Sequence, residues 1–228
     1  MGKLEAGTGV WYAHFNTMNE QRLRPRVVSF DVEGTLVTHH FTRYVWQTAL
    51  PRLYAEEYGL TEEEAQETVL SEYLSVGIER PEWFDIDYWM KRFKLGGAEA
   101  LIESHRLLIE YYPETVRVLD ALAGRYMLVA ASSTPLRFLH YILGDLEHYF
   151  WRVFSATTTF GKAKDREFFQ WMCSEMGVLP AEVVHVGDNW QSDYVSATEA
   201  GMVALYLNRS RNDDGFLGDL DGMLERLA

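Results

Sequence analysis

Short apolar runs alternate with longer amphipathic segments over much of the chain. Runs of β-favouring residues too short for helices predict strands at 27–30, 126–131, 152–155, 183–186 and 203–207. Segments with apolar residues at helical spacing separate these strands from residue 114 onward, where glycines at 144, 177 and 201 mark helix ends. This alternation predicts an α/β fold with a doubly wound, Rossmann-like parallel sheet.

Residues 39–111 break the alternation, because they contain aromatic-rich helical patterns and no strand pattern. Within this block, Thr61 followed by three glutamates is a capping-box signature, Pro51 is a candidate helix break, and residues 98–111 are expected to form one amphipathic helix. We therefore predict a catalytic core made of residues 26–38 and 112–228, with an all-helical insert at 39–111. Residues 1–25 are expected to be an N-terminal extension, of which residues 1–17 are weakly patterned.

Composition and charge restrict the partners and the cellular compartment that we expect for this protein. The 228 residues are 47% hydrophobic and carry a net charge of −13, which argues against nucleic acid or an anionic membrane as a partner. The single cysteine, Cys173, lies in an apolar helical pattern and fits a reducing compartment, so we expect a cytoplasmic protein. We find no apolar run long enough to span a membrane. The sequence leaves monomer and homodimer open.

Polar residues stand where four of the predicted strands end or soon after. Asp31 and Glu33 follow the first strand, Ser132 and Ser133 the second, Lys162 and Lys164 come after the third, and Asp188 and Asp193 follow the fourth. Because parallel strands bring their carboxyl ends together, these groups are expected to form one site. Carboxylates suit Mg²⁺, a lysine and a serine hydroxyl can hold phosphoryl oxygens, and an aspartate can attack phosphorus. Gly34 allows a sharp turn after the acids, and the Thr35 hydroxyl can donate to an anion.

These motifs resemble those of the haloacid dehalogenase superfamily of aspartate-nucleophile hydrolases. The first motif is Asp31-Val-Glu-Gly-Thr-Leu36, the second is the strand ending at Ser132, and the last is Gly187-Asp188 followed by Asp193. The resemblance covers about residues 26–210 and identifies the helical insert with the helical cap of this superfamily.

The sequence departs from the superfamily pattern at two positions and leaves a third ambiguous. Glu33 replaces the usual second aspartate, and Ser133 and Thr134 replace a frequent Asn-Gly. The motif lysine lacks its usual following proline, so both Lys162 and Lys164 remain candidates. The spacing from Gly161 favours Lys164 and the spacing to Phe168 favours Lys162, and of the two we prefer Lys164.

The resemblance implies a Mg²⁺-dependent phosphatase that acts on a small phosphorylated metabolite. In this reading Asp31 is the nucleophile and Glu33 the general acid and base, while the lysine and Ser132 hold the phosphoryl group. The other expected substrate-binding residues are Ser133, Gly34 and Thr35. The metal ligands are then Asp31, the Glu33 backbone carbonyl, Asp188 and Asp193. Two alternatives stay open, which are a 2-haloacid dehalogenase-type hydrolase and a regulatory or binding module with a weakened site.

Overall fold

A five-stranded parallel sheet forms the centre of the computed structural model, which describes residues 25–78, 80–210 and 216–227. Its strands are β1 (Val27–Phe30), β2 (Met127–Ser132), β3 (Arg152–Ser155), β4 (Val183–Gly187) and β5 (Val203–Tyr206). Their order is β3-β2-β1-β4-β5, and every pairing is parallel. The predicted doubly wound α/β fold is thereby confirmed. The expected N-terminal extension lies outside the described residues, apart from Pro25.

The sheet is covered by helices on both faces. The helices that follow the insert in sequence are α6 (Thr115–Ala123), α7 (Leu136–Leu143), α8 (Ala156–Phe160), α9 (Arg166–Met176), α10 (Ser196–Glu199) and α11 (Asp221–Leu227). Val28 and Phe30 of β1 belong to a core with α6 and α7, whereas Val27 belongs to a second core with Phe168 and Phe169 of α9. Because successive strand residues point to opposite faces, β1 is buried on both sides, as central parallel strands are.

The chain between β1 and α6 is helical. It contains α1 (His40–Tyr44), a π-helical turn (Val45–Ala49), α2 (Leu50–Tyr58), α3 (Glu62–Val76), a 3₁₀ turn (Pro81–Phe84), α4 (Ile86–Arg92), α5 (Ala98–Ser104) and a second 3₁₀ turn (Arg106–Leu108). Phe41 and Trp46 pack against Phe138 of α7, with ring centroids 6.2 and 5.7 Å away, so this insert shares a hydrophobic core with the sheet.

Local chemistry explains where the helices of the insert begin and end. The predicted capping box of Thr61 and Glu64 is present at the start of α3. Pro51 does not break the helical path: it lies in the first turn of α2, where the missing N–H is tolerated, directly after the π-helical turn. The single helix expected over residues 98–111 is wrong, because α5 ends at Ser104 and continues only as a 3₁₀ turn after His105.

The helix α9 shows how the sequence positions the site. Asp165 caps it by accepting a hydrogen bond from the Phe168 N–H at 2.9 Å, and Gly177 ends it in the left-handed conformation. The cap fixes the chain immediately after Lys164. No helix of the described ranges is both long and apolar enough to cross a membrane.

Candidate active site

Three aspartates meet at the carboxyl edge of the sheet. Asp31 directly follows β1, and Asp188 and Asp193 follow β4, its neighbour in the sheet. One oxygen from each carboxylate lies within 4.8 Å of the other two. Asp31 and Asp193 are buried, and Asp188 is half-buried. This arrangement follows from the parallel register, which places the two strand ends side by side.

Lys164 lies among these carboxylates. Its ammonium group contacts Asp31, lies 2.5 Å from Asp193 Oδ1, and donates to the Ala131 carbonyl at 3.0 Å. The Lys164 side chain is 2% exposed, whereas that of Lys162 is 44% exposed and pairs with Asp165 and Glu167. Of the two lysines that the sequence left open, the structure brings only Lys164 to Asp31, and Lys162 lies on the surface outside the site.

The excess of carboxylates over cations shifts the ionisation of the site. Burial raises the pKa of Asp31 to about 8, although Lys164 acts in the opposite direction. The neighbouring carboxylates of Asp193 and Asp188 raise this pKa further. Burial alone would lower the pKa of Lys164, but Asp193 and Asp31 outweigh it and hold this pKa above its usual value. The buried edge of the sheet therefore carries more negative charge than one lysine balances.

A buried polar chain supports Asp193 from inside the sheet. Ser29 Oγ lies 2.9 Å from His185 Nδ1, and His185 Nε2 lies 3.1 Å from Asp193 Oδ1. The other oxygen, Asp193 Oδ2, accepts from the Asn189 N–H at 2.9 Å. Burial would raise the pKa of Asp193, but Lys164 and the hydrogen-bonded His185 hold it well below its usual range. We infer that this row of hydrogen-bonded side chains fixes the orientation of Asp193 and, through it, of Lys164.

Sequence reasoning missed the hydrogen-bonded contact of Ser29 with His185, although the sequence contains a signal for it. Ser29 and His185 are the only polar side chains within two otherwise apolar strands, and they pair across β1 and β4 in the same register. Burial lowers the pKa of His185, against the opposing effect of Asp193. A single polar residue at matching positions of two buried strands is the pattern that could have indicated the contact.

Glu33 faces the loop that follows β2. The Thr134 hydroxyl donates a hydrogen bond to Glu33 Oε2, which orients this carboxyl group. Ser132 is buried, and its hydroxyl accepts from the Thr134 N–H at 3.1 Å. The Ser133 hydroxyl accepts from the Lys164 N–H at 3.0 Å, so the β2 loop also helps to position the lysine segment. Thr134, which was not among the expected site residues, thus contacts the predicted acid directly.

Gly34 forms the turn that brings both acids to the site. Its φ of +80° lies in the left-handed region, and a Cβ there would overlap the Asp188 carboxylate and lie 2.6 Å from His39 Nε2. Thr35 is fully buried, and its hydroxyl has no hydrogen-bond partner within the described part of the chain. The expected role of Thr35 as a substrate ligand stays a prediction.

His39 is a further residue that the sequence did not place in the site. Its Nε2 lies 3.3 Å from Asp188 Oδ2, and this hydrogen bond raises the pKa of His39. The histidine stands at the junction between the first motif and α1, which is the only feature of the sequence that hinted at a role.

A cavity of 690 Å³ lies next to these groups, between the loops of the core and the helical insert. On the core side, Glu33, His39, Ser133 and Thr134 line it. On the other side it is lined by residues of α1, the π-helical turn, α2, α3 and the 3₁₀ turn Pro81–Phe84. Asp31 itself is not part of the lining, but Glu33, two residues later, is. A small molecule in this cavity would therefore contact both the core and the insert.

The chain is similar in sequence and in structure to known phosphatases and nucleotidases. GMP/IMP nucleotidase YrfG of Escherichia coli is 25% identical over 182 residues, which cover 77% of this chain and 79% of that protein. The crystal structure of a HAD phosphatase from Thermococcus onnurineus superposes with a TM-score of 0.74 and 27% identity, covering 89% of this chain and 98% of the other.

A 2-haloacid dehalogenase from Pseudomonas syringae superposes with a TM-score of 0.60 and 22% identity, covering 89% and 98% of the two chains, which shows a shared fold alone. The sequence model of one hydrolase family, the haloacid dehalogenase-like hydrolases, matches residues 25–201. That match spans most of the sheet, the whole insert and all the strand-end acids. The chain therefore belongs to the haloacid dehalogenase-like hydrolases.

Proposed function

We propose that this hydrolase is a Mg²⁺-dependent phosphomonoesterase that works through a phosphoaspartyl intermediate on Asp31. The observation that carries the proposal is the buried contact of Lys164 with Asp31 beside two further aspartates, next to a cavity that Glu33 lines. The similarity to a phosphatase structure and to a nucleotidase supports a small phosphate ester as substrate.

The donor set fits Mg²⁺. Three carboxylates supply oxygen ligands, which this ion prefers, and they carry more negative charge than Lys164 balances. Asp31, Asp188 and the Glu33 backbone carbonyl would hold the ion, with Asp193 beside them. When bound, the ion supplies positive charge that neutralises the substrate phosphate and favours the ionised form of Asp31.

The side chains divide the two half-reactions between them. An Asp31 carboxylate oxygen attacks phosphorus, and the bond from phosphorus to the leaving-group oxygen breaks. Protonated Glu33 gives its proton to that oxygen, and Thr134 keeps the carboxyl group oriented. Glu33 then takes a proton from water, whose oxygen attacks phosphorus, so that phosphate leaves and Asp31 is regenerated. Lys164 stabilises charge on the phosphoryl oxygens during both steps.

An isotope experiment with the full chain tests the proposal. The enzyme is given p-nitrophenyl phosphate and a panel of phosphorylated metabolites with Mg²⁺ or with EDTA, and one turnover is run in H₂¹⁸O. We expect hydrolysis that EDTA abolishes, with ¹⁸O in the released phosphate and none in the peptide that contains Asp31.

The dehalogenase reaction gives a different label, because hydrolysis of an aspartyl ester at its carbonyl carbon puts ¹⁸O into the aspartate. Halide release from 2-chloropropionate, with ¹⁸O in Asp31 and no need for metal, would overturn the proposal. Absence of any phosphate hydrolysis with Mg²⁺ present would also overturn it.

A further inference from the structure

The cavity is much larger than a phosphate group requires. Its 690 Å³ fall within the range of ~300–1,000 Å³ that is typical of small-molecule sites. The groups proposed for chemistry meet it only at the edge formed by Glu33, Ser133 and Thr134. Most of the volume is therefore available to the leaving group of the ester, and the residues around it should select that group.

Five aromatic side chains line this volume: Trp46, Tyr73, Trp83, Phe84 and Phe138. Four of them form a connected wall, in which Trp46 stacks on Phe138 at 5.7 Å and Tyr73 lies 6.0 Å from the rings of both Trp46 and Trp83. The Tyr73 hydroxyl is held by the Trp46 carbonyl at 3.2 Å, which fixes the wall. Aromatic surfaces of this kind favour a flat aromatic group, because the whole face of such a group can stack on the side-chain rings.

Four polar side chains that line the same cavity form no hydrogen bond or ion pair within residues 25–78, 80–210 and 216–227, and they are Thr42, Arg43, Gln47 and Gln66. The Thr42 hydroxyl is buried, whereas Arg43, Gln47 and Gln66 are exposed residues whose side chains are free to turn toward a ligand. Arg43 and Gln47 come from the helical stretch that follows the first motif, and Gln66 comes from α3. A glutamine amide can both donate and accept, whereas the Arg43 guanidinium can only donate.

We propose, on the basis of the phosphomonoesterase function proposed above, that the cavity binds the base of a 6-oxopurine nucleoside monophosphate and that Arg43 selects this base. A 6-oxopurine presents O6 and N7 as two adjacent acceptors, which a guanidinium can meet with two parallel hydrogen bonds. Adenine presents a donor in place of O6, which opposes the Arg43 N–H groups. The aromatic wall contacts the ring faces, and Gln47 and Gln66 serve the remaining edge.

A substrate panel with the full chain and Mg²⁺ tests this inference. The panel contains IMP, GMP, AMP, UMP, ribose 5-phosphate, fructose 1,6-bisphosphate and p-nitrophenyl phosphate. We expect kcat/KM for IMP and GMP to exceed that for AMP by about 5- to 150-fold, the range for one bidentate contact. The kcat/KM for IMP and GMP should also exceed that for ribose 5-phosphate by at least ~5-fold, because only the nucleotides carry a base that can stack on the aromatic wall.

The matched variants are Arg43→Met and Arg106→Met. Arg43→Met should lower the ratio of IMP to AMP to about one, because the selective donor pair is lost while the apolar stem remains. Arg106 pairs with Glu103 at 3.1 Å and does not line the cavity, so Arg106→Met should keep the wild-type ratio. Thermal unfolding followed by circular dichroism checks that both variants fold. Arg43→Lys keeps the positive charge but lacks the paired N–H donors of the guanidinium, so its kcat/KM ratio of IMP to AMP should lie between those of the wild type and Arg43→Met.

The outcomes separate the two proposals. Hydrolysis of p-nitrophenyl phosphate without a preference for IMP and GMP over ribose 5-phosphate overturns this inference and leaves the phosphomonoesterase standing. A preference that survives in Arg43→Met overturns the role of Arg43. A preference for fructose 1,6-bisphosphate that disappears in Arg43→Met assigns the arginine to a second anionic group and also overturns the inference. Failure to hydrolyse any member of the panel overturns the proposed function itself.

Discussion

Replacing Lys164 by methionine tests the central contact of the site. Methionine keeps much of the apolar stem but removes the ammonium group that contacts Asp31 and Asp193. Lys162→Met is the matched control, because Lys162 stands two residues earlier and forms ion pairs that are exposed to solvent. The two variants therefore remove the same charge, one from a buried cluster and one from the surface.

The structure sets the expected magnitudes. Removing one partner of a buried ion pair costs ~3–5 kcal/mol, because the remaining charge stays buried without compensation. With EDTA present, Lys164→Met should lower the free energy of unfolding by about this amount. Lys162→Met should change it by about 0–1 kcal/mol, as surface pairs do. Loss of the group that stabilises the phosphoryl oxygens should cost at least ~10²-fold in kcat, the effect of removing one oriented donor.

Two measurements decide the outcome. Urea unfolding in EDTA gives the free energies, and steady-state hydrolysis of p-nitrophenyl phosphate with saturating Mg²⁺ gives kcat. The reasoning is refuted if Lys164→Met keeps more than a tenth of the wild-type kcat, or if Lys162→Met loses more activity than Lys164→Met.

Three further changes give distinct results. Asp31→Asn should lower kcat on the order of 10⁴-fold or more, as loss of a covalent nucleophile does. In EDTA at about pH 7 it should not lower the melting temperature, since folded Asp31 holds its proton up to about pH 8 and the amide then replaces a neutral group; a lower melting temperature would contradict this. Glu33→Gln should slow alkyl phosphates ~10²–10⁴-fold, and p-nitrophenyl phosphate less because its leaving group needs no proton; equal losses would count against the acid role. In EDTA, folded Asp31 holds its proton up to about pH 8 while the unfolded chain ionises near 3.8, so this group lowers stability as pH rises between those values. Mg²⁺ should therefore raise the melting temperature more at about pH 9 than at about pH 6, and a pH-independent shift would argue against Asp31 as a ligand.

The strands and the edge where the acids meet could be predicted because both depend on local sequence. Short β-favouring runs bounded by turn residues fixed the five strands to within about one residue. Parallel pairing then required Asp31 and Asp188 to stand at the same edge. The cap of α9 by Asp165 was predictable for the same reason, since an N-cap depends on a few neighbouring residues.

The side-chain contacts of the site could not be predicted in the same way. The hydrogen bond from Thr134 to Glu33 and the contact of His39 with Asp188 join residues that are more than a hundred positions apart. They depend on the exact path of two loops, which periodicity does not describe. The end of α5 at Ser104 was missed for a related reason, because its helical pattern continues while the chain tightens into a 3₁₀ turn.

The central position of β1 has a consequence for the growing polypeptide on the ribosome. Val27 pairs with Met127 on one side and with Val183 on the other, so the strand leading to Asp31 is synthesised long before either neighbour. The helices of the insert depend mostly on contacts that are local in sequence and can form earlier. Asp188, Asp193 and Lys164 are all made after the insert is complete. The nascent chain must therefore carry the first strand unpaired for about a hundred residues of synthesis, and the two acids that join Asp31 at the sheet edge are added only near the end.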